Sequence, residues 1–307
     1  MRRIAQSAVL LLAGLAVAAA PLHAHPAVRF LTTGSQDYWP CFSPDGTHIL
    51  FSRRTEGTGN WELFLVAAAG GEPQRLVRSP LPVSATRANW SRQNNQIAFT
   101  GTSANGENAV WLVNSDGSSP RRLELRGVSA QVFYPSWFPN GNQIAVMDGQ
   151  ELVIKRIDLG SGIAVTATDH KQVLTGMPSV SPDGKWIVFA GQKNAGQRYD
   201  QTKNSIWLVD ESGRMRNVES GAAQGRAPTW SPDGNRLTFE SDRGTFDGGY
   251  AIFLINRDGT GLTQLTDRGL EANHPVWSPD GRQLAFSARD PMHLAAIGIA
   301  VISTETF

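Results

Sequence analysis

The sequence holds one cysteine, Cys41, in 307 residues. A lone cysteine excludes an intrachain disulfide framework and any zinc or iron–sulfur site built from several thiolates. Charge is also sparse and balanced. Lys plus Arg number 28 and Asp plus Glu 27, a formal net charge of +1. The first 24 residues carry Arg2 and Arg3 and no acid, so the remainder stands at 26 against 27. That balance argues against a dedicated nucleic-acid binder, which carries a basic face. There is no Gly-x-Ser-x-Gly elbow, no P-loop and no His-Glu-x-x-His. No amphipathic helical stretch of useful length follows the N-terminal segment. What the chain does have is turn formers, 31 Gly and 17 Pro, together with 9 Trp. A 40% hydrophobic content is not that of a disordered chain.

The one long apolar run is at the start. Met1-Arg2-Arg3 precedes an Ala/Leu-rich stretch from Ile4 to Ala20, then Pro21-Leu22-His23-Ala24. A basic start, an apolar stretch and a small residue before a polar one predict a secretory signal over residues 1–24, cut after Ala24, with Ala20 as a second small-residue site. The run is near the lower limit for spanning a bilayer and is interrupted by Gln6 and Ser7. Cleavage is therefore preferred to anchoring, and the expected product is an exported chain of residues 25–307 without a transmembrane span.

The rest of the sequence repeats. Pro40-Cys41-Phe42-Ser43-Pro44-Asp45-Gly46 returns at Ala88–Ser91, Pro135–Gly141, Pro178–Gly184, Pro228–Gly234 and Pro275–Gly281. The serine position, or Phe138 in the third unit, falls at 43, 91, 138, 181, 231 and 278, intervals of 48, 47, 43, 50 and 47. After each turn an alternating run follows, such as His48-Ile49-Leu50-Phe51 or Gln283-Leu284-Ala285-Phe286. A variable loop, a second apolar run such as Ile206-Trp207-Leu208-Val209, a tight turn such as Asp116-Gly117 or Asp258-Gly259, and a short last strand complete the unit. Four strands per unit, six times over, predict an all-β, six-bladed β-propeller forming a single domain. The sixth unit has only three strands, the last at Ile299–Ile302, while Val28–Thr33 reads like a missing fourth strand. Pairing the two would close the ring and remove both open edges.

The Pro-x-Trp-Ser-Pro-Asp-Gly repeat, the Ile-Ala-Phe-type strand after it and the later Asp-Gly turn resemble the TolB-type propeller repeat, over roughly residues 28–303. The resemblance implies a periplasmic propeller, since the founding member of that family works in the Tol–Pal envelope system. It implies an envelope protein or peptide as partner, a peptidoglycan-associated lipoprotein-like one among the candidates. TolB itself carries a separate α/β domain before its propeller that engages an inner-membrane partner. Here the repeats begin directly after the expected signal. The repeat also occurs in peptidase and lyase propellers, so it specifies fold better than function.

Strand order places both tight turns of each unit on one face and the variable loops on the other, where binding sites usually sit. The Asp of each Pro-Asp-Gly has a structural task in its turn, bonding nearby backbone while Gly supplies the positive φ. The repeated aromatics, Trp90, Trp137, Trp230, Trp277 and Phe42, are expected between blades. The residue before each repeat's Pro, or before its counterpart Ala88, enters the innermost strand at the loop-face mouth of the channel: Trp39, Arg87, Tyr134, Met177, Ala227 and His274. Arg226 and Asn273 stand just before two of them. Aromatics with Arg are the usual composition of a binding hot spot. A second, weaker ring is Arg53, Arg54, Asp242, Arg243 and Arg289, with Arg243 beside Asp242 and Arg289 beside Asp290 read as surface ion pairs. His274, His293 and Asp290 belong to one unit and would be a candidate metal set if they met at the mouth, but neither a metal nor a cofactor is expected.

These readings favour a non-enzymatic protein-binding module, a monomer or a subunit of an envelope complex. Arg87, Arg226 and His274 would bond the partner and Trp39 and Tyr134 would pack on it. The alternative is an envelope enzyme, lyase or hydrolase in type, acting on a carbohydrate or small substrate at the same mouth with His274 as acid/base or ligand.

Overall fold

A computed structural model describes residues 27–77, 81, 83–219, 224–244, 249–305 and 307. The expected signal, residues 1–24, lies outside them. Strand β1 (Arg29–Phe30) begins the described chain. The first blade is β2 (Asp37–Phe42), β3 (His48–Arg54), β4 (Trp61–Ala67) and β5 (Gln74–Arg75). The second is β6 (Ser84–Trp90), β7 (Gln96–Thr102), β8 (Asn108–Asn114) and β9 (Arg121–Arg122). The third is β10 (Val132–Trp137), β11 (Gln143–Asp148), β12 (Val153–Asp158) and β13 (Ala164–Thr166). The fourth is β14 (Val173–Val180), β15 (Trp186–Lys193), β16 (Ser205–Asp210) and β17 (Met215–Glu219). The fifth is β18 (Gly225–Trp230), β19 (Arg236–Ser241), β20 (Ala251–Asn256) and β21 (Thr263–Gln264). The sixth has only β22 (Asn273–Trp277), β23 (Gln283–Arg289) and β24 (Ile297–Ser303) from its own segment. The innermost strands β2, β6, β10, β14, β18 and β22 neighbour one another in that order, and β22 returns to β2.

Strand β1 is the fourth strand of the sixth blade, antiparallel to β24 with Arg29 opposite Val301 and Phe30 opposite Ala300. It is shorter than the Val28–Thr33 run, but the attachment continues beyond it. Leu31 N–H donates to Ile299 O at 2.7 Å, and Ile299 N–H to the Thr32 hydroxyl at 2.8 Å. Thus residues from the two ends of the described chain share one sheet.

The apolar residues form six clusters, each between two neighbouring blades. Phe42, Ile49 and Phe51 of the first blade, for example, meet Ala285, Ile299 and Val301 of the sixth. Each fully buried aromatic in this setting contributes roughly 1.5–3 kcal/mol. The repeated tryptophans behave as the sequence implies: Trp137, Trp230 and Trp277 are buried. The indoles of Trp137 and Trp230 each donate, at 3.0 Å, to a carbonyl of the preceding blade's inner strand, that of Asn89 and of Ser179.

The Pro-Asp-Gly turns are built alike. In the first, the Ser43 hydroxyl donates to Asp45 Oδ1 at 2.6 Å, Thr47 N–H donates to the same oxygen at 3.0 Å, and Gly46 takes φ 73°. These bonds, the Ser43 hydroxyl first, hold the Asp45 carboxyl down to about 2. Ser181–Asp183 and Ser278–Asp280 repeat the contact at 2.6 Å. Two three-residue 3-10 helices, Gln201–Lys203 and Arg268–Leu270, are the only helices among the described residues, and none is long and apolar enough to cross a membrane.

Candidate functional site

All six inner strands carry a β-bulge, and at each bulge the first extra residue is one of the mouth residues. Between Tyr38 opposite Ser52 and Cys41 opposite Leu50, the pair Trp39-Pro40 faces the single residue Phe51. The same two-against-one count sets Arg87 and Ala88 against Phe99, and His274 and Pro275 against Phe286. Trp39, Arg87, Tyr134, Met177, Ala227 and His274 all adopt positive φ, between 45° and 57°. Among the described residues only three other non-glycine positions do so. Such a conformation costs about 1–3 kcal/mol per residue, and outliers of this kind cluster at functional sites. The bulge also explains how a proline sits inside a strand, since the extra residue is left out of the ladder. The sequence reading missed this backbone feature. Its signal was the recurring residue-proline pair ahead of the turn, kept in five units and replaced by Arg87-Ala88 in the second.

The bulges turn these side chains into a cavity of about 310 Å³ at the loop-face mouth, lined by Trp39, Arg87, Tyr134, Met177, Arg226 and His274. Gln36, Tyr38, Arg54 and Trp61 complete its wall. Ala227 lies deeper, in the channel itself. Asn273 serves the site through His274, its Oδ1 lying 2.7 Å from Nδ1.

The guanidinium of Arg87 lies between two rings, 4.7 Å from the centroid of Trp39 and 4.4 Å from that of Tyr134. Trp39 in turn packs edge-on to Trp61 at 5.0 Å and beside Tyr38 at 5.4 Å. Tyr38 and Trp61 were not among the residues singled out from the sequence; Tyr38 directly precedes Trp39, whereas only the fold brings Trp61 to it.

His274 is held on both sides. The Trp39 indole N–H donates to Nε2 at 3.0 Å. An indole nitrogen only donates, so Nε2 accepts and the proton of the neutral ring resides on Nδ1, facing Asn273. Burial pushes the imidazole well below its ordinary 6.5, and Arg226 and Arg87 add to the effect. Below it lies Glu240, buried, accepting the His274 backbone N–H at 2.7 Å and pairing with Arg226 Nε at 3.2 Å. Burial raises the Glu240 carboxyl above its usual range, opposed by Arg226 and by the His274 N–H. Arg226 also lies over Tyr250, with the centroid at 5.4 Å. Its charge is therefore engaged within the protein.

Several outer-ring expectations are corrected. Arg53 forms a two-pronged pair with the fully buried Asp37, Nε to Oδ1 at 2.7 Å and a terminal nitrogen to Oδ2 at 2.8 Å, and lies outside the mouth lining. Arg243 pairs with Glu219 and not with Asp242, whose Oδ1 accepts Gln224 N–H at 2.8 Å. Arg289 pairs with Glu271 and not with Asp290. Asp242, Arg243 and Asp290 lie past the ends of their strands, where adjacency in sequence fixes no side-chain contact. Arg54 alone of this ring lines the mouth and reaches a carbonyl, that of Gly59, at 3.4 Å. The His274, His293 and Asp290 set does not assemble. His293 bonds Asp290 at 2.9 Å, His274 bonds Trp39, and the described residues contain no group of three that would hold a metal ion.

Residues 30–218 match the family described as the TolB beta propeller domain. The chain belongs to the TolB β-propeller family. Among solved structures, a protein assigned as TolB in Agrobacterium tumefaciens superposes with a TM-score of 0.67 at 22% identity, over 90% of this chain and 96% of that one. TolB of Acinetobacter baumannii gives 0.64 at 17% identity, over 86% of this chain and 65% of that one. An oligogalacturonate lyase of Vibrio parahaemolyticus gives 0.57 at 14% identity, over 90% and 93%. At these identities the likenesses show the fold alone. The mouth of this TolB-family propeller must therefore be read from its own residues.

Proposed function

We propose that this TolB-family propeller is an envelope protein that binds a protein or peptide partner at the channel mouth. The observation that carries the reading is the Trp39–Arg87–Tyr134 stack: large aromatic faces and a guanidinium, preset by bulged backbone, lining an open cavity. Rigid aromatics and Arg in a half-buried pocket are what binding hot spots are made of. The signal-like sequence at residues 1–24 and the family membership support a periplasmic location. A peptidoglycan-associated lipoprotein is the first partner to try, on the strength of the family resemblance.

An enzyme using His274 as acid or base has less support. Both ring nitrogens are already bonded, and its depressed proton affinity leaves the ring neutral with no free lone pair toward the cavity.

The test is a native pull-down from envelope extract with the mature chain and an Arg87→Ala/Tyr134→Ala double variant side by side, followed by titration of the recovered partner in purified form. A partner bound by the wild type and lost by a folded double variant is the expected result. Equal capture by both refutes the site.

A further inference from the structure

The mouth cavity is lined by three arginines and, among the described residues, by no Asp or Glu. Arg226 is matched by Glu240. Arg87 has no carboxylate within ion-pair distance among the described residues. Its Nε is buried without a hydrogen-bond partner, and one terminal nitrogen reaches only the Thr86 hydroxyl, at 3.3 Å. A guanidinium has five N–H donors in one plane. The ring centroids of Trp39 and Tyr134 lie 4.7 and 4.4 Å from the guanidinium carbon. A further partner must reach the edge, where the donors are. That edge suits a two-oxygen acceptor, and a carboxylate is the matching group. Arg54, on the same wall, adds positive charge and has no acid within ion-pair distance among the described residues.

We propose that Arg87 is the receptor for a carboxylate of the peptide partner, with the flanking part of the peptide lying on Trp39 and Trp61. The inference rests on reading the mouth as a peptide site. The carboxylate has two possible sources, an Asp or Glu side chain or a free C-terminus, and the two present the same chemistry to Arg87.

The experiment is selection of random-sequence peptides with free C-termini on the mature chain, followed by titration of the selected peptides. The expected outcome is enrichment of Asp or Glu at a fixed position, or dependence on the free terminus. Replacing that Glu by Gln, or amidating that terminus, should weaken binding to the wild type roughly tenfold or more, as for a lost charge-assisted hydrogen bond. Which of the two changes does so identifies the source. Binding to Arg87→Met, which keeps an unbranched apolar chain between the rings, should be weak and indifferent to either change. The acid-to-amide comparison on the wild type needs no variant, so it remains decisive if Arg87→Met does not fold. Selected peptides that bind at the mouth but tolerate both changes overturn the role of Arg87 and leave the peptide site standing. Failure to select any peptide overturns the peptide site and the inference together.

Discussion

The indole N–H of Trp39 donates to Nε2 of His274 at 3.0 Å, and this bond joins the first blade to the last. It requires a ring unprotonated at Nε2. Folding lowers the proton affinity of His274, so as pH falls below 6.5 the unfolded chain takes up a proton first. Stability contributed by this residue is therefore complete above that value and declines below it, until the folded ring itself protonates. Glu240, raised by burial, runs the other way and gains as pH falls through its own folded value. Thermal unfolding at about pH 7.5 and 5.5 should show a drop in the wild type that is smaller in His274→Gln. An equal drop in both assigns the effect elsewhere.

The attachment of the N-terminal strand depends on the absence of a side chain at Gly298. A Cβ there would lie 2.2 Å from the Thr32 carbonyl oxygen and 3.1 Å from the Phe30 ring. Gly298→Ala should therefore push β1 off the sixth blade, costing about 1–3 kcal/mol as overpacking does. Deleting residues 25–34 should cost more than this. Urea unfolding measures both, and amide exchange at Leu31 and Ile299 should rise in the alanine variant. Unchanged unfolding after the deletion would sink the closure.

The Asp37–Arg53 pair gives a prediction that separates scaffold from site. Asp37 is fully buried, so Arg53→Ala strands a carboxylate and should lower stability by about 3 kcal/mol. Arg53 lies outside the mouth lining, so partner affinity at a temperature where the variant is folded should stay within about twofold of wild type. A large loss of affinity with normal stability would return Arg53 to the binding surface.

Each Pro-Asp-Gly turn holds its carboxyl below the ordinary value through the Ser hydroxyl and backbone N–H that donate to it. Asp45, at about 2, contributes stability that is present above the ordinary value of 3.8 and is lost as pH falls through about 2. Ser43→Ala removes its largest cause. The Asp45 titration, followed by NMR, should then move up toward 3.8 and the acid-unfolding midpoint should rise with it. An unmoved titration would mean that Thr47, through its N–H and its hydroxyl, sets the value.

The propeller was legible because its determinants are local and repeated six times. Alternation marks the strands, and Ser-Pro-Asp-Gly marks the turns. The set of residues at the mouth was legible for the same reason, since the position ahead of each proline is fixed in the repeat. Their backbone geometry was not, because a positive φ at Trp39 or Met177 follows from the bulge and has no side-chain preference behind it. Charge pairing was the weakest reading. Arg53 meets Asp37 because they are opposite residues in a ladder, 16 positions apart, while the sequence neighbours Arg243 and Asp242 take other partners.

The six bulges make the mouth a set of interchangeable sockets. One backbone shape presents Trp, Arg, Tyr, Met, Ala and His in turn, from the smallest side chain that has a Cβ to the largest. The blade beneath each socket is completed by a fully buried second-strand residue, Phe in five blades and Val146 in the third, which does not depend on what the socket carries. A substitution in one socket is therefore felt first by its neighbours, as His274 is by Trp39 and Arg87 by Tyr134, while the cores between the blades lie a layer below.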